Sequence, residues 1–142
     1  MRSGFESEAF TFFLKTDFFS IGGNGISFAF ESMEFIDFTE FPLEPTGRKG
    51  ISHYVFARAA DGVGLIHVAE FEPYTDTSPE GPQIHDFWEY VFIIEGSMID
   101  LTLNQEFKKG SVAIRNPGMR HGPWKIPSGG CRVFEIRSKN PL

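Results

Sequence analysis

An all-β domain of the small-barrel or sandwich class is what this sequence predicts, and three observations predict it. Short runs of alternating apolar and polar residues recur at a spacing of roughly ten residues, with Gly, Pro and Asp-Gly turn signals between them. Phenylalanine occurs 17 times in 142 residues, an aromatic load that favours strands. No stretch of useful length repeats its apolar residues at helical period, and no internal repeat is present.

Taken in order, the chain opens with a segment (1–32) unlike the rest, rich in Phe and poor in aliphatic residues. Residues 9–13 and 26–30 read as two strands joined by the turn-forming Ile21-Gly-Gly-Asn-Gly25. This N-terminal β-hairpin is expected to lie over the main domain, with a lid or a dimer-forming arm as the functional alternative, because two strands alone are marginal. The main domain is expected to span 33–142. It begins with a short strand over 33–38 and a proline-punctuated loop over 41–50. Strands follow over 51–59 and 64–71, joined by the Asp61-Gly62 turn. A polar loop over 73–82 precedes strands at 89–94, 98–103, 111–115 and 132–137.

One domain of this length can bury a sizeable core. The formal net charge of −6, with no basic run, argues against a nucleic-acid partner. Cys131 is the only cysteine, so no disulfide can form within the chain. The N-terminus lacks the layout of a secretory signal, and no apolar run approaches the ~18 residues a membrane helix needs. The expectation is a cytoplasmic protein with no membrane partner.

The chemistry-bearing stretch runs from Gln83 to His121. Gln83 and His85 stand at i and i+2, on one face of an extended chain about 7 Å apart, within reach of one ion. Glu89 follows across a bend and begins the next strand, and Gly96 permits the positive φ of a tight turn. Pro117-Gly118 forces a turn that can swing His121 towards the same interior. Imidazole nitrogen with carboxylate and amide oxygen is a donor set for a divalent transition metal.

These residues resemble the two motifs of the cupins, small double-stranded β-helix barrels of the jelly-roll class. His85, three residues, Glu89, six residues, Gly96 fit the second half of the family's first motif. Gly110, Gly118 and His121 fall in register with its second motif, with thirteen residues between the two motifs. The sequence departs from the pattern at Gln83, where the family has a first histidine, at Asn116, where it has proline, and at Lys125, where it has asparagine. The surrounding residues are similar to the cupin half of ChrR-type anti-sigma factors and to acetophenone-type dioxygenases.

The resemblance implies a jelly-roll barrel over about 33–137 and one divalent metal, Fe(II), Zn(II), Mn(II) or Ni(II), held by Gln83, His85, Glu89 and His121. It implies a metal-dependent dioxygenase acting on a small hydroxyketone or diketone, with Glu89 as base if it leaves the metal. The alternatives are a Zn- or Mn-dependent isomerase or cyclase, and a non-catalytic zinc module. A homodimer through exchanged N-terminal strands is also implied.

Outside that set, His53 and His67 either line the pocket or serve as satisfied structural residues. Arg115 and Arg120 either hold an acidic substrate group or form surface ion pairs. Trp88, Tyr90, Phe92 and Trp124 are expected in the core, and Cys131 as an inert small hydrophobe.

Overall fold

A central strand of thirteen residues organises the barrel. The structure, a computed structural model, describes residues 34–142. The expected N-terminal hairpin and the boundary at 32/33 lie outside the described residues. Among the described residues eight strands form: β1 (Leu43–Pro45), β2 (Ile51–Arg58), β3 (Leu65–Phe71), β4 (Trp88–Asp100), β5 (Gln105–Lys108), β6 (Val112–Arg115), β7 (Trp124–Lys125) and β8 (Cys131–Ser138). They pair antiparallel in the order β1-β2-β3-β8-β4-β5, with β6 and β7 also on β4. The fold is the expected all-β jelly-roll barrel.

β4 serves both halves of the barrel. Its first half pairs β8 on one edge and β6 on the other, with Glu89 opposite Arg137 and Arg115. Its second half pairs β5 and β7. Two strands expected over 89–94 and 98–103 are therefore one, and Gly96 lies inside it rather than in a tight turn. Its φ is +73°, and a Cβ there would fall 2.1 Å from the Gly130 carbonyl oxygen. A register shift between Ile93 and Glu95 opposite β8 reverses which residues face inward. Glu89, Val91 and Ile93 are buried before it, Met98 and Asp100 after it.

The strand expected over 33–38 does not form in its described part. Asp37 caps a 3₁₀ turn, Phe38–Glu40, by accepting from the backbone N–H and hydroxyl of Thr39 at 2.9 and 2.7 Å. The turn sets the Phe38 ring edge-on to Tyr54. The short strands β5 and β7 fall where the sequence showed no strand pattern. Each gains its place from pairing to β4 rather than from local preference.

The buried apolar cluster joins Ala69, Val91, Ile93, Met98, Trp124, Ile126, Cys131 and Val133. Two residues along β3 and β8 from the Ala69–Val133–Ile93 layer the inward positions turn polar, His67 opposite Glu135, and four residues back from Ile93 on β4 Glu89 stands opposite Arg115. That change of character positions the site.

Candidate metal centre

Three backbone hydrogen bonds bring the two motifs together. Gln83 and His121 pair as an antiparallel bridge, N–H to C=O at 2.9 Å one way and 3.1 Å the other. The Gly118 N–H donates to the His85 carbonyl at 2.8 Å, with Gly118 at φ +83°. The turn expected at Pro117-Gly118 thus delivers His121 beside His85, ring centroids 5.0 Å apart. Glu89, second residue of β4, meets both from the sheet. Its Oε2 lies 3.5 Å from His85 Nε2 and 3.7 Å from His121 Nε2.

The tautomers follow from the neighbouring carbonyls. His85 Nδ1 lies 3.0 Å from the Phe87 carbonyl oxygen, and His121 Nδ1 lies 3.1 Å from that of Met119. A carbonyl only accepts, so each Nδ1 carries the hydrogen and each Nε2 presents a lone pair. His85 Nε2 is buried without a hydrogen-bond partner. Two nitrogen lone pairs and a carboxylate thus converge within 4.8 Å. A proton on Glu89 satisfies only one of these atoms at a time, whereas a divalent ion satisfies all three. The backbone carbonyl behind each imidazole is the usual orienting partner of a metal-ligating histidine. The residues present fit a divalent metal.

Burial, then the charge of Arg115, lowers the His121 pKa from 6.5 to about 4, so the ring is neutral and ready to bind. Burial also raises the Glu89 pKa, the Glu135 carboxylate adds to the rise, and Arg115 opposes it. Arg115 Nη1 donates to Glu89 Oε2 at 2.5 Å. This buried arginine is a partner of the cluster, not a surface ion pair.

Gln83 has other company. With its amide oxygen turned towards Arg48, it accepts from Nη2 at 2.5 Å and Nη1 at 2.8 Å. Arg48 is held in turn by Glu80 at 2.6 Å. To act as a ligand, Gln83 has to leave that pairing.

The cluster continues across the barrel as a polar row. Glu135 on β8 touches Glu89 and faces His67 on β3, whose Nε2 lies 3.3 Å from Glu135 Oε1. His67 Nδ1 lies 3.1 Å from His53 Nδ1 on β2. His53 and His67 therefore line an interior cavity together, and that cavity is polar, about 380 Å³. On the other flank an apolar cavity of about 220 Å³ reaches His121 and Arg115, walled by Val91, Ile93, Met98 and Trp124. Arg120 is exposed on its rim.

Of the aromatics expected in the core, Trp124 is buried, Trp88 and Tyr90 are half-buried and stacked, and Phe92 is 41% exposed. Cys131 is buried, and desolvation pushes its thiol up to about 12. Glu135 and Arg137 escaped the sequence reading. Their parity with Cys131 and Val133 in β8 was the available signal that they face inward. Arg48 lies in a loop and gave no signal.

No family model matches the chain, and no curated protein matches it in sequence. Solved structures do match in fold. The polyketide cyclase RemF from Streptomyces resistomycificus is 20% identical at a TM-score of 0.58, over 77% of this chain and 81% of that one. An RmlC-like cupin from Shewanella frigidimarina is 14% identical at 0.58, over 75% and 91%. The complex of Rhodobacter sphaeroides SigE with the anti-sigma ChrR is 14% identical at 0.51, over 64% and 46%.

Proposed function

From the cupin fold of this barrel, we propose that the protein is a metal-dependent enzyme acting on a small organic molecule, with His85, Glu89 and His121 as its metal ligands. The observation that carries the reading is the convergence of the two imidazole lone pairs on the Glu89 carboxylate, both tautomers fixed by backbone carbonyls. Two histidines and one carboxylate with open positions is the donor set of non-haem Fe(II) oxygenases. The finer reading is accordingly a dioxygenase of a hydroxyketone or diketone. A bound divalent ion would supply Lewis-acid polarisation and, as Fe(II), redox chemistry with dioxygen.

The chain's own residues supply the rest. The apolar cavity beside His121 accepts the carbon body of a small substrate and excludes water, while Arg115 on its wall offers donors to substrate oxygens. Arg115 also holds Glu89 in place. Glu89 serves as base only if it leaves the metal, and Glu135 beside it favours that protonated form. Gln83 acts as a fourth ligand only where its amide turns from Arg48.

A second reading, a Zn(II)- or Mn(II)-dependent cyclase or isomerase, is supported by the likeness to the polyketide cyclase. The homodimer is carried forward with it. Phe92, Val112 and Ile114 stand exposed together on β4 and β6, a face suited to a second copy.

Oxygen uptake by the Fe(II)-loaded protein across a panel of hydroxyketones and diketones tests the reading. Uptake in the wild type and none in His121→Ala is expected. Substrate turnover without oxygen uptake, in the Zn(II) or Mn(II) form, selects the second reading. Retained zinc with no turnover in any form overturns both in favour of a non-catalytic module.

A further inference from the structure

Gln83 stands where a fourth ligand would stand, yet its amide is taken. Its backbone bridges that of His121 as an antiparallel pair, so the two side chains leave the same face. The amide nevertheless lies on Arg48. Its oxygen accepts from Nη2 at 2.5 Å and from Nη1 at 2.8 Å. The opposite orientation would set the amide N–H groups against guanidinium N–H groups, donor against donor. An amide oxygen has two lone pairs, and the guanidinium occupies both. None is left for an ion, and the positive charge beside it opposes a second cation.

The surrounding hydrogen bonds fix Arg48 in this place. It sits in the loop between β1 and β2, where its N–H donates to Thr46 Oγ1 at 3.2 Å and its carbonyl accepts from the Ile51 N–H at 3.2 Å. Thr46 Oγ1 donates in turn to the Ile51 carbonyl at 2.7 Å. The Gly50 carbonyl accepts from the Glu72 N–H at 2.9 Å and from Thr75 Oγ1 at 3.2 Å. The loop carrying Arg48 is thereby tied to the segment that leads to Gln83. Glu80, at the end of the 3₁₀ turn Ser78–Glu80, completes the arrangement. Its Oε2 accepts from Arg48 Nε at 2.7 Å and lies 2.6 Å from Nη2. One edge of the guanidinium thus serves Glu80 and the other serves Gln83, a division that a planar fork of donors can make and a lysine cannot.

We propose that Arg48 is a positioning residue that withholds Gln83 from the metal centre, so that an ion is met by His85, Glu89 and His121 alone. The inference rests on the metal reading of those three residues. Arg48 fixes the donor set at two imidazoles and one carboxylate, the set that leaves positions open to substrate. Without the guanidinium, the amide oxygen is free to join as a fourth, neutral donor. That closes one open position and tightens the hold on the ion. Arg48 therefore lowers metal affinity and keeps the site open, and it does so through Gln83.

Cobalt(II) is the probe, because its visible absorption changes with the number of donors around it. The wild type and Gln83→Ala are expected to give the same cobalt spectrum, and the same affinity in competition with a chromogenic chelator. Arg48→Met is expected to change the spectrum and to tighten binding about tenfold, the lower end of what residues behind a ligand contribute. Adding Gln83→Ala to Arg48→Met is expected to return both readings to the wild-type values. Three results overturn the latch: Arg48→Met indistinguishable from the wild type, tightening that survives in the double variant, or a wild-type spectrum that differs from that of Gln83→Ala. The Arg48 side chain is 31% exposed and that of Glu80 39%, so the substitution leaves no buried charge unpaired and the fold is expected to tolerate it. Where it does not, the wild type compared with Gln83→Ala decides. A wild type that takes up no cobalt overturns the metal reading and the latch with it, whereas uptake with any of the three results overturns the latch alone.

Discussion

Arg115 stands directly across the β4–β6 pair from Glu89 and donates to its Oε2 at 2.5 Å. The same oxygen faces both candidate histidine ligands. The arginine therefore holds the carboxylate in position and stands in for part of the charge that a metal would bring. Arg115→Met is expected to cost the metal-free protein about 3–5 kcal/mol, the range for removing one partner of a buried ion pair. Zinc should recover part of that loss, because the ion takes over the neutralisation of Glu89. Urea midpoints with and without zinc measure both effects, and an equal loss in the two conditions would count against a metal at Glu89.

Metal content separates the three converging residues from Gln83. His121→Ala is expected to abolish metal retention, because the remaining pair, His85 and Glu89, leaves too few donors. Gln83→Ala should keep wild-type stoichiometry, since the amide is engaged by Arg48. Elemental analysis after dialysis reads both variants. Loss of metal from Gln83→Ala would show that the amide turns inward to coordinate.

Acid should weaken the metal-free fold in a definite window. His121 has its folded pKa depressed to about 4, against 6.5 for the free side chain. Between these values the unfolded chain binds more protons than the folded one, so stability falls as the pH is lowered. The contribution of His121 is complete above 6.5 and is lost as the pH drops through about 4. His53, also depressed by burial, acts in the same direction. Glu89, raised, acts oppositely: its contribution is full below 4.5 and is lost as the pH rises through its folded value. Chemical denaturation across this range should show the slope, and His121→Gln should flatten it.

Gly96 is the backbone position with least latitude. An alanine there keeps φ at +73° and sets its Cβ against the Gly130 carbonyl. Strain at such a φ alone is worth about 1–3 kcal/mol, and the clash adds to it. Gly96→Ala should lower the thermal midpoint by many degrees, whereas Gly118→Ala, with open space around its Cβ position, should cost less. Equal midpoints for the two variants would contradict the close approach.

How far the sequence could be read depends on how local each signal is. His85, Glu89 and His121 were legible because spacing within two short motifs carries them. The strands β2, β3 and β8 were legible from their sequence alternation, which burial follows cleanly in β8 alone of the three. Gly96 was legible as a positive-φ glycine but misread as a turn, because a single strand that changes pairing partner looks locally like two. Arg115 and Glu135 were opaque for a different reason. Their roles follow from which residue stands opposite on another strand, and register between distant strands leaves no local trace. The same holds for His53 and His67, each visible alone while their contact was not.

The register shift between Ile93 and Glu95 has a consequence for what changes in length the barrel tolerates. It locks two chemistries in opposite phase along one strand: odd positions from Glu89 to Ile93 face inward, and even positions from Met98 to Asp100 do the same. Deleting the one extra residue between Ile93 and Glu95 straightens the strand and leaves Glu89 and Met98 on the same face. Deleting one residue elsewhere in β4, with the shift kept, rotates one half by a full side-chain step, so that either Glu89 leaves the metal-binding cluster or Met98 leaves the apolar one. Length changes in β4 are thus quantised. Only those that preserve the phase on both sides keep a folded barrel and its ligands together.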